Sequence, residues 1–429
     1  MPSHRWATPS DAGCQGNLVL RGGASHAERK FAYVSYRFHI LAVPHAVSVP
    51  EYSSCAFTQK VVKLGKMLTS RGHTVIHYGH EDSTVECTEN VGITNDEDLA
   101  ISYPGHDWRT QGWPTYSFGD HAYRKFFSRA IEEIGKRKQP GDFLLCTFGA
   151  NHQPVAEAHS DMIIVEPGIG YPHGGFARFR VFESYSTLHV YRGMDNVASG
   201  ANDMWYDAVI PNYFDLDDFD YCAEKDDYFL FLGRVNSGKG IHIALQVVRD
   251  IGGKLLIAGA GGLTGHEIDT DPSEFATLLG AVGPAERRKL LSKAKAVLTP
   301  STFLEPFCGV QIEAMLSGTP VISTDWGAFA EYNLHGITGY RCRTFEQFIW
   351  AANNIGNIDP VNCRTWAERN FSLDRVADMY EEYFDSVSHI FNGKGWYEPN
   401  PGRTELNWLN KYPPEHWGGS AQGDPALHV

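Results

Sequence analysis

Four short apolar runs in the second half of the chain, YFLFLG, KLLIAG, AVLTP and PVIST, constrain the fold more than any other feature of its 429 residues. None alternates apolar with polar residues, so each reads as a strand buried on both faces. Helical segments near Ile241, Ala285 and Gly309 separate them, which makes successive strands parallel and covers the sheet with helices. The first half repeats the pattern. A strand opens at Phe38, and a helical period then passes through Phe57, Val61, Leu64 and Leu68. A second strand is predicted over 74–78, a helix over 122–137 and a strand over 142–146. Another strand, DMIIVEPGIGY, ends in Gly168 and Gly170. The fold class is α/β, with two Rossmann-like parallel-sheet domains.

The length suits two ordinary cores rather than one. Between residues 215 and 227 stand seven acids against a single lysine, the composition of a solvated linker. It divides a first domain, 31–212, from a second, 213–385. Residues 1–30 contain Gly, Ser and Arg without period and read as a flexible extension. The tail 386–429, with its Trp, Pro, Gly and Asn, is expected to pack back on the first domain.

A net charge of −14 disfavours nonspecific binding to nucleic acid or to an anionic membrane, and so favours small-molecule chemistry. The eight cysteines lie at least 21 positions apart, which excludes zinc or redox spacing. No run of about 18 apolar residues appears and the N-terminus lacks an apolar signal core, so a cytoplasmic location is expected.

The chemistry concentrates at two places in the second half. In FLFLGRVNSGKGIHIAL a strand runs into Gly233 and Arg234, and a polar loop brings Lys239 to a helix start. There the unpaired N–H groups favour an anion. The glycine spacing is wrong for a Walker A loop, and Gly240 stands where that motif needs Ser or Thr. In LEPFCGVQIEAMLSGTPVIST, Glu305 falls in the loop after a strand and Glu313 about one turn inside the following helix. Both face one cleft, where carboxylates can bond a vicinal diol and helix N–H groups can bond phosphate oxygens.

Strand-Gly-Arg-x4-Lys-Gly, followed some 65 residues later by Glu-x7-Glu and AMLSGTPVIST, closely resembles family 4 of the retaining glycosyltransferases, which have the GT-B fold. The resemblance runs almost unbroken over 228–340. It implies that Glu305 contacts the donor sugar, Glu313 the ribose, and Arg234 and Lys239 the diphosphate. Gly233, Phe307, Cys308, Gly309 and Val310 would complete the donor site. The implied function is transfer of a hexosyl group from a UDP- or GDP-sugar to a small-molecule or glycan acceptor, with retention. No cofactor or metal is expected, because Arg234, Lys239 and a helix N-terminus would compensate the leaving diphosphate.

Two departures stand out. The family usually has Gly where this chain has Cys308. The first domain also lacks the family's glycine pair after its first strand. In its place stands HAVSVPEYSSCAFTQK, where Ser53, Ser54 and the N–H groups near Cys55 would substitute, unless the loop closes only when donor binds. The segment VEPGIGYPHGGFARFRVFESYSTLHVYRG is similar to a string in family 4 enzymes of unassigned acceptor. His152 and Glu166 are expected just beyond strand ends facing the cleft, as catalytic candidates. Glu166 would be the nucleophile if transfer ran by double displacement. Tyr171, His173 and His189 are acceptor-side candidates, while His73, His77 and His80 read as structural rather than as a metal site. Two rival functions are transfer to a modified nucleic acid base, which needs Arg178, Arg180 and Arg192 to line a groove, and silent sugar-nucleotide binding.

Overall fold

The computed structural model describes residues 34–52, 55–107, 114–171, 175–199, 206–266 and 269–393. The first sheet contains β1 (Arg37–Leu41), β2 (Thr74–His80), β3 (Glu89–Thr94), β4 (Phe143–Cys146), β5 (Ile163–Ile169), β6 (Phe179–Phe182) and β7 (Ala208–Val209). Their order is β3-β2-β1-β4-β5-β6-β7, every pair parallel. The second sheet contains β8 (Phe229–Leu232), β9 (Leu255–Ala258), β10 (Ala276–Gly280), β11 (Ala296–Thr299), β12 (Val321–Thr324) and β13 (Gly339–Cys342). Its order is β10-β9-β8-β11-β12-β13, again parallel throughout.

Both sheets reverse their winding once, between β1 and β4 and between β8 and β11. Open parallel sheets bind ligands outside the carboxyl ends of the strands at such a reversal. The loops after β8 and β11 are the ones that carry Arg234, Lys239 and Glu305. The fold thus places the polar residues of the second half at its switch point.

The strands expected from apolar runs are present, and those that sequence reading passed over have a common reason. β6 reads FRVF, with a cation at its centre. Arg180 is buried there because Asp207 Oδ2 lies 2.7 Å from its guanidinium and Asp195 accepts from it at 3.2 Å. β3, β10 and β13 are edge strands. Edge strands are covered on fewer sides and carry polar residues that break an apolar run. Arg192 pairs with Asp207 as well, and Arg178 donates to the Tyr206 hydroxyl at 3.1 Å. Arg180 and Arg192 are thus paired with acids of their own domain, which disfavours the groove that the nucleic-acid reading needs, while Arg178 is exposed.

The chain crosses between domains twice, side by side. Phe214 N donates to Phe371 O at 2.8 Å and Leu373 N donates to Phe214 O at 3.0 Å. The return begins earlier than residue 386. The helix Leu373–Phe391 lies on the first domain, its Phe384 ring 4.7 Å from Phe38 and 5.2 Å from Phe143, while Asp378 bonds Arg71 at 2.7 Å. Composition hides this because the helix is a regular amphipathic one. Residues 1–33 and 394–429, where the extension and most of the tail were placed, lie outside the described residues. The acidic linker is only partly solvated: Asp217, Asp218 and Asp220 are exposed, but Asp215 is tied to Lys66, and Phe214 and Cys222 are buried. Among the described residues no helix is long and apolar enough to cross a membrane.

Candidate active site

Lys239 ends a tight turn, Ser237–Lys239, where the Asn236 side chain accepts from Lys239 N at 2.9 Å. The next residue, Gly240, has φ 75°, and a Cβ there would overlap the Pro300 carbonyl oxygen. Only glycine lets the loop after β8 press this closely on the loop after β11. Thr302 N then donates to Gly238 O at 2.9 Å, so the two loops form one wall.

Glu305 is 3% exposed in that wall. Its Oε1 accepts from Lys239 Nζ at 2.6 Å and from Ser301 Oγ at 2.7 Å. The Lys239 ammonium also stands 4.9 Å from the Phe303 ring centroid. A buried carboxylate is tolerable only with such partners. Among the described residues nothing bonds its Oε2, which leaves that oxygen for a ligand. Arg234 is exposed in the same loop, and among the described residues no group pairs with its guanidinium.

The helix Gly309–Leu316 begins beside Glu305, and Cys308 occupies its N-cap with φ 62° and ψ 76° without a side-chain capping bond. Cys308 is the one non-glycine residue with positive φ among the described residues. The turn therefore adopts the conformation that glycine favours, with a thiol in place. Cys308, Gly309 and Val310 are half-buried in succession along the helix start, whereas the Phe307 ring is in the core, stacked on Phe214 and packed 5.0 Å from Tyr332. Phe307 offers this site its backbone and not its ring.

Glu313 lies one turn farther in. Its Oε2 accepts from Arg287 Nε at 2.8 Å and from the same guanidinium's terminal nitrogen, while Oε1 faces the space beside Gly309. The structure thus joins Glu305, Lys239 and Ser301 in one cluster and holds Glu313 with Arg287 in a second. Ser301 and Arg287 escaped sequence reading. The i to i+4 spacing of Ser301 and Glu305 was a usable sign for the first. Nothing in AERRKLL distinguishes Arg287 from the arginine beside it.

The first-domain candidates lie elsewhere. His152 is fully buried, Nε2 donating to Ala42 O at 2.9 Å and Nδ1 accepting from Phe148 N at 3.3 Å, and burial pushes its pKa down to about 3. It fastens the loop after β4 to that after β1, with both ring nitrogens spent on backbone. Glu166 lies within β5 rather than past it. Its oxygens accept from Tyr171 Oη at 2.7 Å and from the N–H groups of Phe176 and Ala177 at 2.8 Å each. Burial pushes this carboxyl up to about 7. Glu166 and Tyr171 brace a loop together. His189 is exposed on the helix Tyr185–Ser199. Ser53, Ser54 and His173 lie outside the described residues.

His73 and His77 are structural: Tyr36 N donates to His73 Nδ1 at 3.2 Å and His77 Nδ1 bonds Asn90 Oδ1 at 2.6 Å. His80, Asp82 and Asp96 come within metal-ligating distance of one another. His80 Nδ1 accepts the Asp82 N–H at 3.1 Å, so the neutral ring keeps its proton on Nε2, which points to Asp96 at 3.4 Å. That tautomer offers a metal no lone pair.

Residues 226–355 match the family model described as glycosyl transferases group 1. Among curated proteins, the chain is 27% identical over 177 residues to an uncharacterized glycosyltransferase of Methanocaldococcus jannaschii, covering 38% of this chain and 43% of that protein. It is 34% identical over 136 residues to the O-antigen chain mannosyltransferase of Salmonella typhimurium, covering 30% and 38%. The matched span is thus less than half the length of either relative. Among solved structures, AviGT4, a glycosyltransferase involved in avilamycin A biosynthesis, superposes with a TM-score of 0.60 at 21% identity over 82% of this chain and 98% of that one. Anabaena HepE in complex with UDP and glucose gives 0.57 at 15% identity over 82% and 100%. Identities this low speak for the fold alone. The chain thus has a GT-B fold, and its residues 226–355 are similar to the group 1 glycosyl transferases.

Proposed function

We propose that the protein is a glycosyltransferase that moves a hexosyl group from a nucleoside diphosphate sugar to a small-molecule or glycan acceptor, with retention and without a metal. The observation that carries this reading is the buried Glu305, held by Lys239 and Ser301 with Oε2 unspent, beside an uncapped helix start and one turn from Glu313. A diphosphate lying on that helix start would meet Lys239 and Arg234, whose charges offset what develops on the leaving group. The sugar would then face Glu305, and the ribose would reach Glu313 Oε1. HepE is a structure in complex with UDP and glucose, which supports a nucleotide-sugar occupant for a fold of this kind.

Glu166 is enclosed by three hydrogen bonds in its own domain, which argues against a double displacement through it. Front-face attack, with the leaving phosphate taking the acceptor's proton, asks nothing of Glu166. The test is a calorimetric titration with UDP, GDP and their sugars in EDTA. Binding that Lys239→Ala and Arg234→Ala each weaken by about 1.5 to 3 kcal/mol is expected, the range for hydrogen bonds to charged groups. Donor binding or turnover that appears only after Mg²⁺ or Mn²⁺ is added would reject the metal-free mechanism.

A further inference from the structure

Lys63 sits on the first domain's helix Ala56–Ser70, yet the charged groups it faces belong to the second half of the chain: Glu313, Asp218, Arg287 and Asp215. Two of these acids are already engaged, Glu313 by Arg287 and Asp215 by Lys66. Among the described residues no carboxylate comes within ion-pair distance of Lys63, and no acceptor takes its protons. Its ammonium instead stands 4.9 Å from the Phe214 ring centroid. It is half-buried, and burial lowers its pKa. A cation drawn out of water with three unspent donors is a cost that an arriving anion would remove.

Phe214 shows where that anion would lie. Its ring carries Lys63. At its edge, its Cζ is 3.7 Å from the point where a Cβ on Gly309 would stand. Gly309 opens the helix whose N-cap supplies no side-chain bond; Gln311 N donates to Cys308 O at 3.1 Å, which leaves the N–H groups of Gly309 and Val310 to face an anion. One anion-seeking group from each domain thus adjoins the same aromatic ring.

We propose that Lys63 is the first domain's contact with the diphosphate: when a nucleoside diphosphate occupies the helix start at Gly309, the Lys63 ammonium bonds a phosphate oxygen and joins the two domains across the ligand. This rests on reading the second-domain site as one for a nucleoside diphosphate. Lys63 would then supply from a helix the grip on the diphosphate that the loop after β1, which has no glycine pair, does not offer through glycines.

The test titrates the full chain with UDP and GDP, and with uridine and guanosine at millimolar concentration, for the parent, Lys63→Gln and Lys63→Arg. For whichever diphosphate the parent binds, Lys63→Gln should weaken it about tenfold or more, the effect of one hydrogen bond to a charged group. Affinity for the matching nucleoside should stay unchanged, and Lys63→Arg should recover most of the loss. A parent that binds neither diphosphate overturns the nucleotide reading, and this proposal with it. A parent that binds while Lys63→Gln binds equally well overturns this proposal alone. Equal losses of nucleoside and diphosphate also overturn it, because they would make Lys63 a spacer between domains rather than a phosphate ligand. Melting temperatures of both variants close to the parent's tie these losses to the site and not to unfolding.

Discussion

Glu166 and Glu305 are both buried carboxylates near the carboxyl ends of central strands, one in each domain. Glu166 spends both oxygens on Tyr171, Phe176 and Ala177 of its own loop. Glu305 spends one oxygen on Lys239 and Ser301 and keeps the other. The same contrast holds around them. In the first domain His152 satisfies both ring nitrogens on backbone, and Lys60 is closed into a pair with Glu183 and a bond to Gly168 O at 2.6 Å. In the second, among the described residues, Arg234, the helix start at Gly309 and one oxygen of Glu313 remain uncommitted. Burial alone therefore does not mark a reactive carboxylate. An unspent acceptor at a switch point is what sets Glu305 apart, and it is why the proposed chemistry is assigned to the second domain's strand ends.

Neutralising Glu305 should break that contrast with the largest effect. A sugar developing positive charge gains more from a nearby carboxylate in the transition state than in the ground state. Glu305→Gln should therefore lower turnover of the sugar donor by about 100-fold or more, the scale of removing one preorganised electrostatic contact. Its affinity for bare UDP or GDP should stay within about threefold of the parent, below one charged hydrogen bond. Glu166→Gln should do the reverse, lowering the melting temperature and leaving turnover per folded molecule intact. If bare diphosphate affinity fell as far as donor turnover in Glu305→Gln, Glu305 would be a brace like Glu166.

The first domain's role as scaffold has a pH signature. Burial pushes His45 and His152 down to about 3 and His77 to about 4, from an ordinary value near 6.5. A depressed folded pKa contributes stability above the unfolded pKa, and that stability is lost as pH falls through the folded value. Each group should therefore cost up to about 1.4 kcal/mol per pH unit between about pH 6.5 and 4. Glu166 has the opposite sign: raised to about 7, its contribution is present below pH 4.5 and lost as pH rises through 7. Three imidazoles outweigh one carboxyl, so urea midpoints should fall on acidification. His152→Gln should flatten the slope, and a slope unchanged in that variant would mean that His152 does not stay neutral in the fold.

What was legible in the sequence divides along the same line. The second domain's strands are unbroken apolar runs, and Glu305, Glu313, Arg234 and Lys239 lie in loops or helix starts next to them. Local order placed all four at the switch point. The first domain's functional surface depends on long-range pairing that no window of sequence displays. Arg180 in β6 needs Asp207, and His152 needs the carbonyl of Ala42. Glu166 was expected past the end of its strand because Pro167 and Gly168 follow it. The strand in fact continues to Ile169, with a shift in register after Glu166. Lys63 gives no sign in its own helix, since what it faces comes from the other domain.

The domains meet through a cap that crosses between them. Glu331 accepts from the N–H groups of Tyr185 at 2.9 Å and Ser186 at 2.8 Å, and Ser184 Oγ accepts from Thr187 N at 3.2 Å. Together they satisfy the first turn of the helix Tyr185–Ser199. The short helix that carries Glu331, Ala328–Tyr332, starts with Ala328 N bonded to Glu305 O at 3.1 Å. Glu331→Ala should cost about 1 kcal/mol, as loss of a cap does. It should also raise the radius of gyration measured by small-angle scattering. A loss of stability with unchanged dimensions would mean that the paired crossings at Phe214 and Ser372 set the domain relation without this cap.

The smallest expected effect tests the turn at Cys308, where the family that the second domain resembles usually has glycine. Cys308 holds φ 62°, a conformation that costs a residue with a Cβ about 1 to 2 kcal/mol relative to glycine. Glycine has a cost of its own, because the unfolded chain gains freedom worth about 0.4 to 1 kcal/mol. The first effect is larger, so Cys308→Gly should stabilise the protein by about 0.5 kcal/mol, read from denaturant midpoints at equal m-value. Cys308→Ala keeps the Cβ and so keeps the strain, but removes the sulfur that stands near Glu305 and Lys239. A change in sugar-donor affinity common to both variants then belongs to the thiol's bulk at the site, and a stability gain confined to the glycine variant belongs to the backbone. If glycine proved no more stable than alanine, the turn would be unstrained. The cysteine would then occupy it at no cost, and only the thiol's effect on the donor would separate this site from one with glycine there.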